Sequence, residues 1–231
     1  MLKQWRNLPE FMQTEEVKPY WDVLGKKRGQ IAVKRVFDFL LASILIILFA
    51  IPMIAIAIII KCDSSGPVFF RQERVTAYGK HFRIHKFRTM VTNAEKLGSE
   101  ITSENDPRIT KAGLFLRNTR LDELPQLIDV ISGNMSFVGT RPETLKYVSM
   151  YKPEYFATLL LPAGITSKAS VAYKDEALLL TAGADVEDQY LNTVLPEKMK
   201  INLDALKNFS LYDDISVMFT TVFAVLKKGN R

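Results

Sequence analysis

Charge vanishes from this chain for one long stretch. From Phe39 to Ile60, "FLLASILIILFAIPMIAIAIII", 22 consecutive positions carry no ionisable group, and Ser43 supplies the only side-chain hydroxyl. The run is apolar on every side, unlike the one-faced helix of a soluble domain. As a straight helix it would measure about 33 Å, enough for a hydrocarbon core of roughly 30 Å. Pro52 stands inside it, and a residue with no amide hydrogen and a ring that crowds the preceding turn predicts a break or a kink. Broken there, the arms would be about 20 and 12 Å long, each too short to cross alone.

Beyond this run the pattern shortens. "GPVFFRQERV" and "KHFRIHKFRTM" are rich in aromatic and β-branched residues, and the turn-like "TAYG" between them predicts a short β-hairpin. From Asn93 onward, short helical patterns are punctuated by Pro107, Pro125, Pro142, Pro153, Pro162 and Pro196. The C-terminal "SLYDDISVMFTTVFAVLKK" predicts a helix with Leu211, Ile215, Met218, Phe219, Val222, Phe223 and Leu226 on one face. Ser210 and Asp213 resemble a capping box at its start. The apolar face suits either the core or a bilayer surface, and the core is the expectation. The fold class is therefore α+β, mostly helical.

Charge decides how the apolar run is placed. The chain carries a net charge of +6 with 48% hydrophobic residues, a balance that points to a membrane surface or a polyanionic partner. Lys26, Lys27, Arg28, Lys34 and Arg35 precede the run; Lys61, Arg71, Arg74, Lys80, Arg83, Lys86 and Arg88 follow it. Basic flanks mark the cytoplasmic side. A hairpin that enters and returns at Pro52 satisfies both flanks, whereas a single-pass anchor leaves one on the wrong side. No cleavable leader pattern precedes the run. The single cysteine, Cys62, excludes an intramolecular disulfide.

Candidate chemistry gathers around "NTRLDELPQL". Walker, dinucleotide and zinc signatures are absent from the chain. Asp122 and Glu123 lie next to Arg108, Lys111, Arg117 and Arg120, with Arg141 following in "FVGTRPE". Arginine forks suit phosphate oxygens, and Mg²⁺ takes one or two carboxylates together with phosphate oxygens. Neighbouring residues diverge by about 100° on a helix, so the two acids have different jobs. Pro125 at a first helical position would leave the pair just ahead of the helix. An acidic helix cap held by surface ion pairs explains the same residues, and composition and spacing alone favour it. His81 and His85, four apart in a basic extended stretch, are expected to face solvent or the interface with no acid close by.

The order of motifs reverses that preference. From "VKRVFDFLLA" through "SGPVFFRQERV", "HKFRTM", "DPRITKAGLFLRNTRLDELPQLIDVISGNMSFVGTRPE" and "PAGIT", the chain resembles the monotopic phosphoglycosyl transferases, also called bacterial sugar transferases. The resemblance implies a re-entrant helix broken at a proline, with residues 1–30 as an N-terminal segment, 31–62 as the membrane helix and 63–231 as a cytoplasmic catalytic domain. Lys34 and Arg35 would anchor the helix at the headgroups, Asp38 would sit near the boundary, and Pro52 would turn the helix back. Asp122 would be the nucleophile and a metal ligand, with Glu123 as its dyad partner. Arg117, Arg141 and Lys86 would bind substrate phosphate.

The implied reaction moves a sugar-1-phosphate from a UDP-sugar to a polyprenol phosphate. It passes through a phosphoglycosyl-aspartate, releases UMP, and is the first membrane step of capsule, O-antigen, exopolysaccharide or glycoprotein glycan assembly. Mg²⁺ is the implied cofactor. The implied location is the cytoplasmic face of the bacterial inner membrane. Donor, acceptor and bilayer are the expected partners, with no nucleic acid, and the oligomeric state stays open. Thr76, Thr140, Ser167, Lys168 and Ile51 depart from the family's usual residues, away from the dyad. Two rivals stand beside this reading: a membrane-anchored glycosyltransferase that releases a nucleoside diphosphate, and a non-enzymatic membrane scaffold. The sugar is unassigned, and its selector is sought between Ala163 and Leu191.

Overall fold

A computed structural model describes residues 2–94, 97, 106–173 and 186–228. A short helix α1 (Lys18–Gly25) leads into the 36-residue α2 (Arg28–Asp63). Among the described residues, α2 alone is long and apolar enough to cross a membrane. The expected break at Pro52 is not seen, and helical backbone continues past it. A proline deletes one ladder bond and the turns on either side propagate.

Both halves of α2 rest on the same body. In the first half, Ala42 is buried in a cluster with Leu127, Val130 and Phe82. In the second, Ile56 and Ile60 pack with Phe87 and Leu116. Past the helix end, Arg88 reaches the Ser64 carbonyl at 2.8 Å, and Asp63 accepts from the Ala112 amide at 3.2 Å. Between these two footings, Ile47 and Ile51 are 78% and 80% exposed.

Lys34 and Arg35, expected at the headgroups, are engaged by groups of the protein. Lys34 is buried, with its ammonium 2.7 Å from Asp214 and 3.7 Å from Asp38. Arg35 donates to the carbonyls of Val130 and Ile131 at 2.6 and 2.9 Å. Asp38 is buried as well and accepts from the Ser136 hydroxyl at 2.7 Å. These residues share the face of α2 that packs on the domain, so their charges bind the helix to protein.

The predicted hairpin is present in two short pieces. Strands β1 (Phe69–Phe70), β2 (Glu73–Val75), β3 (His81–Arg83) and β4 (Lys86–Phe87) pair antiparallel as β2 with β3 and β1 with β4. A 3₁₀ turn at Ala77–Gly79 joins the inner pair, with Tyr78 at φ 61° and Gly79 at φ 73°. The chain then forms α3 (Lys111–Thr119), α4 (Gln126–Ile131), β5 (Met135–Val138), α5 (Leu145–Val148), β6 (Ala163–Thr166) and α6 (Lys168–Ala172). The parallel pairing of β5 with β6, Met135 opposite Ala163 and Val138 opposite Thr166, was not legible in the pattern. After a short α7 (Val186–Gln189) and a π turn at Tyr190–Val194 come α8 (Leu195–Lys207) and α9 (Leu211–Lys228).

The C-terminal helix corrects another expectation. Val217 is buried in α9, but Phe219, Val222 and Phe223 are exposed, so much of the apolar face is not core. Its acidic start serves ion pairs, Asp214 with Lys34 and Asp213 with Lys168 at 3.1 Å. The larger core lies elsewhere: Leu8, Met12, Val17, Tyr20 and Leu24 pack with Leu160, Met199 and Leu203. The N-terminal segment is thus wrapped into the domain.

Candidate active site

The acidic pair sits where two helices meet. Helix α3 stops at Arg120, which takes the left-handed conformation with φ 58°. That reversal starts a 3₁₀ turn, Leu121–Glu123, and Pro125 follows as the N-cap of α4. Pro125 lies one place earlier than expected, and the carboxylates still precede the helix. Both are nearly closed to solvent, Asp122 at 8% and Glu123 at 9% exposure. An exposed acidic cap would not look like this.

Two distant segments deliver cations to Glu123. Strand β4 alternates, so Phe87 enters the apolar cluster with Leu116 while Lys86 is free to meet Glu123, Nζ to Oε1 3.1 Å. Arg141 follows β5 and faces Glu123 through both nitrogens, Nη2 to Oε1 2.5 Å and Nη1 to Oε2 3.4 Å. Close strand approach sets its position. The Gly164 amide donates to the Thr140 carbonyl at 2.9 Å, and a Cβ added to Gly164 would lie 2.2 Å from the Gly139 nitrogen.

The pair divides electrostatically, as the divergence of neighbouring side chains implied. Burial, then the adjacent Glu123 charge, pushes the Asp122 carboxyl above the usual aspartate range, against the pull of Lys86, Arg120 and Arg141. Burial acts on Glu123 in the same sense, but Arg141 and Lys86 overcome it and hold that carboxyl well below the usual range. Burial lowers the Lys86 ammonium, with Glu123 opposing. Glu123 raises the Arg141 guanidinium. The two adjacent acids are thus electrostatically unlike.

Arg117 donates Nε to the Thr89 hydroxyl at 3.0 Å; burial lowers its basicity and the Asp122 charge opposes that. Arg117, Arg141 and Lys86 therefore all bear electrostatically on the dyad. Arg108, from the same basic run, instead binds its own neighbour Asp106 at 2.9 and 2.6 Å. Lys34, Arg35 and Pro52, expected to anchor the chain at the membrane, belong to α2.

The structure also tests the dyad as a cation site. Asp122 Oδ1 is buried with no hydrogen-bond partner. An unsatisfied carboxylate oxygen at that position fits a divalent cation that takes few protein ligands. Among the described residues no cluster of three or more His, Cys, Asp or Glu side chains exists, so a closed protein cage is not available there.

Sequence reasoning missed one partnership. His85 donates its backbone N–H to Asp129 Oδ2 at 2.8 Å, and its ring Nδ1 lies 2.8 Å from Asp129 Oδ1. His81 likewise has Glu73 at 3.1 Å. The expectation of histidines without nearby acids is corrected on both counts. Asp129 was visible as a lone charge in the apolar "QLIDVI", yet only folding shows what it meets. Part of the span sought for sugar selection, 174–185, lies outside the described residues.

Comparison with known proteins places this geometry among relatives. The sequence profile described as bacterial sugar transferase matches residues 29–228. A UDP-N-acetylgalactosamine-undecaprenyl-phosphate N-acetylgalactosaminephosphotransferase of Aeromonas hydrophila is 36% identical over 84% of this chain and 44% of its own length. A UDP-glucose:undecaprenyl-phosphate glucose-1-phosphate transferase of Escherichia coli (strain K12) is 35% identical over 83% and 39%. An undecaprenyl-phosphate galactose phosphotransferase of Salmonella typhimurium is 30% identical over 87% and 42%. The chain spans less than half the length of these three relatives.

Proposed function

Since this chain belongs to the bacterial sugar transferase family, we propose that it transfers a sugar-1-phosphate from a UDP-sugar to a polyprenol phosphate through a phosphoglycosyl-aspartate on Asp122. The observation that carries the reading is the division of the dyad. Glu123 is engaged by Arg141 and Lys86, while Asp122 is enclosed, raised in basicity and left with an unpaired oxygen. The relatives' names supply the donor and acceptor classes.

In the first step an Asp122 oxygen attacks the sugar-linked phosphorus, and the bridging P–O bond breaks with its electron pair leaving on UMP. In the second, an oxygen of the polyprenol phosphate attacks the same phosphorus and the aspartate carboxylate is released. A covalent intermediate divides one difficult transfer into two. Arg141, partly open at its outer edge, and Arg117 bind phosphate oxygens; Glu123 holds Arg141 and Lys86 in place for them. Mg²⁺, held by Asp122, would supply neutralisation of the diphosphate charge.

The acceptor is a lipid, so the site belongs at a membrane face. We place α2 in the bilayer as a re-entrant element, with both ends on the cytoplasmic side. Support comes from its two footings on one domain and from its two basic flanks. The family points to the bacterial inner membrane and to an initiating step of surface glycan assembly.

The test uses detergent-solubilised protein with Mg²⁺, undecaprenyl phosphate and a panel of UDP-sugars, with Asp122→Asn as control. UMP released with one sugar, and absent in the variant, is the expected result. UDP as the released nucleotide would move the protein to the glycosyltransferase reading. No nucleotide from any donor would favour the scaffold.

A further inference from the structure

Gln126 is the first residue of α4 and is completely enclosed, at 0% exposure. Neither its Nε2 nor its Oε1 has a hydrogen-bond partner. Sealing a carboxamide from water without partners is unfavourable, whereas methionine or leucine would fill a similar volume without that cost. A buried orphan of this kind needs a reason.

A second orphan lies close by in the chain. Asp122 Oδ1 is also buried without a partner. The two residues are four apart along helical backbone: the 3₁₀ turn Leu121–Glu123, then Leu124 and Pro125 in the right-handed region, then α4. The 3₁₀ pairing of this segment, Glu123 N–H to the Arg120 carbonyl and Leu124 N–H to the Leu121 carbonyl, keeps the two residues within little more than one turn of each other, and glutamine and aspartate side chains hydrogen-bond at such spacing. An unpaired amide donor therefore stands within little more than a turn of an unpaired carboxylate acceptor, both shielded from water that could substitute.

We infer that Gln126 is a positioning residue for Asp122, donating from Nε2–H to Oδ1 during phosphoryl transfer and thereby presenting Oδ2 to phosphorus. The inference rests on the phosphoglycosyl transfer reading above. As the Oδ2–P bond forms, the bridging P–O bond breaks and its electron pair leaves with UMP. Oδ1 becomes the carbonyl oxygen of the acyl phosphate and still accepts from Gln126. When the acceptor phosphate attacks phosphorus, the Oδ2–P bond breaks and the carboxylate is regenerated with its orientation kept. Gln126 acts through Asp122 and touches neither substrate.

A packing role predicts the opposite behaviour, because an apolar residue would then be neutral or stabilising and harmless to turnover. The experiment compares the full chain with its Gln126→Met, Gln126→Leu, Gln126→Asn and Asp122→Asn variants in detergent. It measures UMP release from the UDP-sugar that the wild type uses, together with the melting temperature. Gln126→Met is expected to melt at or above the wild type, keep KM for the donor within about twofold, and lose kcat about tenfold or more. Gln126→Asn, which keeps a carboxamide, is expected to recover part of that loss. Wild-type kcat in a folded Gln126→Met or Gln126→Leu overturns the inference and leaves the transferase reading intact. Failure of both apolar variants to fold assigns Gln126 a structural role and also overturns it. A wild type that releases no UMP from any donor removes the transferase reading and the inference together.

Discussion

At the scale of single residues, the dyad is two unlike acids made from adjacent positions. Glu123 meets Arg141 and Lys86, and Asp122 Oδ1 is buried without a hydrogen-bond partner in the field of its neighbours. The raised Asp122 carboxyl fixes a sign. Its folded-state pKa lies above the ordinary aspartate value, so ionised Asp122 costs stability at pH values above its folded pKa. That cost disappears as pH falls toward the unfolded value. With a chelator present, Asp122→Asn is therefore expected to melt above the wild type at pH 7.5, by about 3 °C if the cost is about 1 kcal/mol. The gap should close as pH is lowered toward 4. A constant gap across this range would mean that the variant gains from something other than lost charge. Added Mg²⁺ should raise the melting temperature of the wild type and leave the variant unmoved.

At the scale of elements, the site is assembled from pieces that are individually weak. The β-strands are two to four residues long, and α4 has six residues. Their accuracy comes from contacts between them. The Gly139–Gly164 approach is one of the tight ones, since a single added carbon would meet the facing backbone. Gly164→Ala is expected to cost about 2–3 kcal/mol by overpacking and to shift Arg141 with β5. Chemical denaturation in detergent would measure the first effect, and loss of UMP release in the fraction that stays folded would report the second. The β-hairpin was legible because β-branched and aromatic runs flanked a turn; the parallel β5–β6 pair was not, because its partners are separated by more than twenty residues and carry no turn signal. The same limit explains Phe219, Val222 and Phe223, since periodicity marks a face without saying what covers it.

At the scale of the whole molecule, α2 binds a bilayer-sized apolar surface to a basic domain. Its first half is tied by Lys34 and Arg35 to α9 and α4, and its second half by Ile56, Ile60 and Asp63 to the hairpin and α3. A re-entrant placement predicts that both ends are reached from one side. Cys62 is exposed and is the only cysteine, which makes it a natural reporter. In inverted inner-membrane vesicles, Cys62 of the wild type and a Gly29→Cys probe in a Cys62→Ser background should both react with a membrane-impermeant maleimide. Labelling of one end alone would establish a single pass.

By itself, the sequence determined the apolar run, its basic flanks, the hairpin and the identity of the acidic pair. These are local properties: they depend on which residues stand within a few turns of one another, and periodicity and motif carry them. Tertiary structure decided the rest. It gave Glu123 its two cations from segments 37 residues upstream and 18 downstream, and it turned Lys34 and Arg35 inward. It also closed Asp122 and Gln126 away from water. Burial and long-range charge pairing arise only when distant segments pack; burial raises both carboxyls alike, and it is the pairing of Glu123 with Arg141 and Lys86 that sets the two apart.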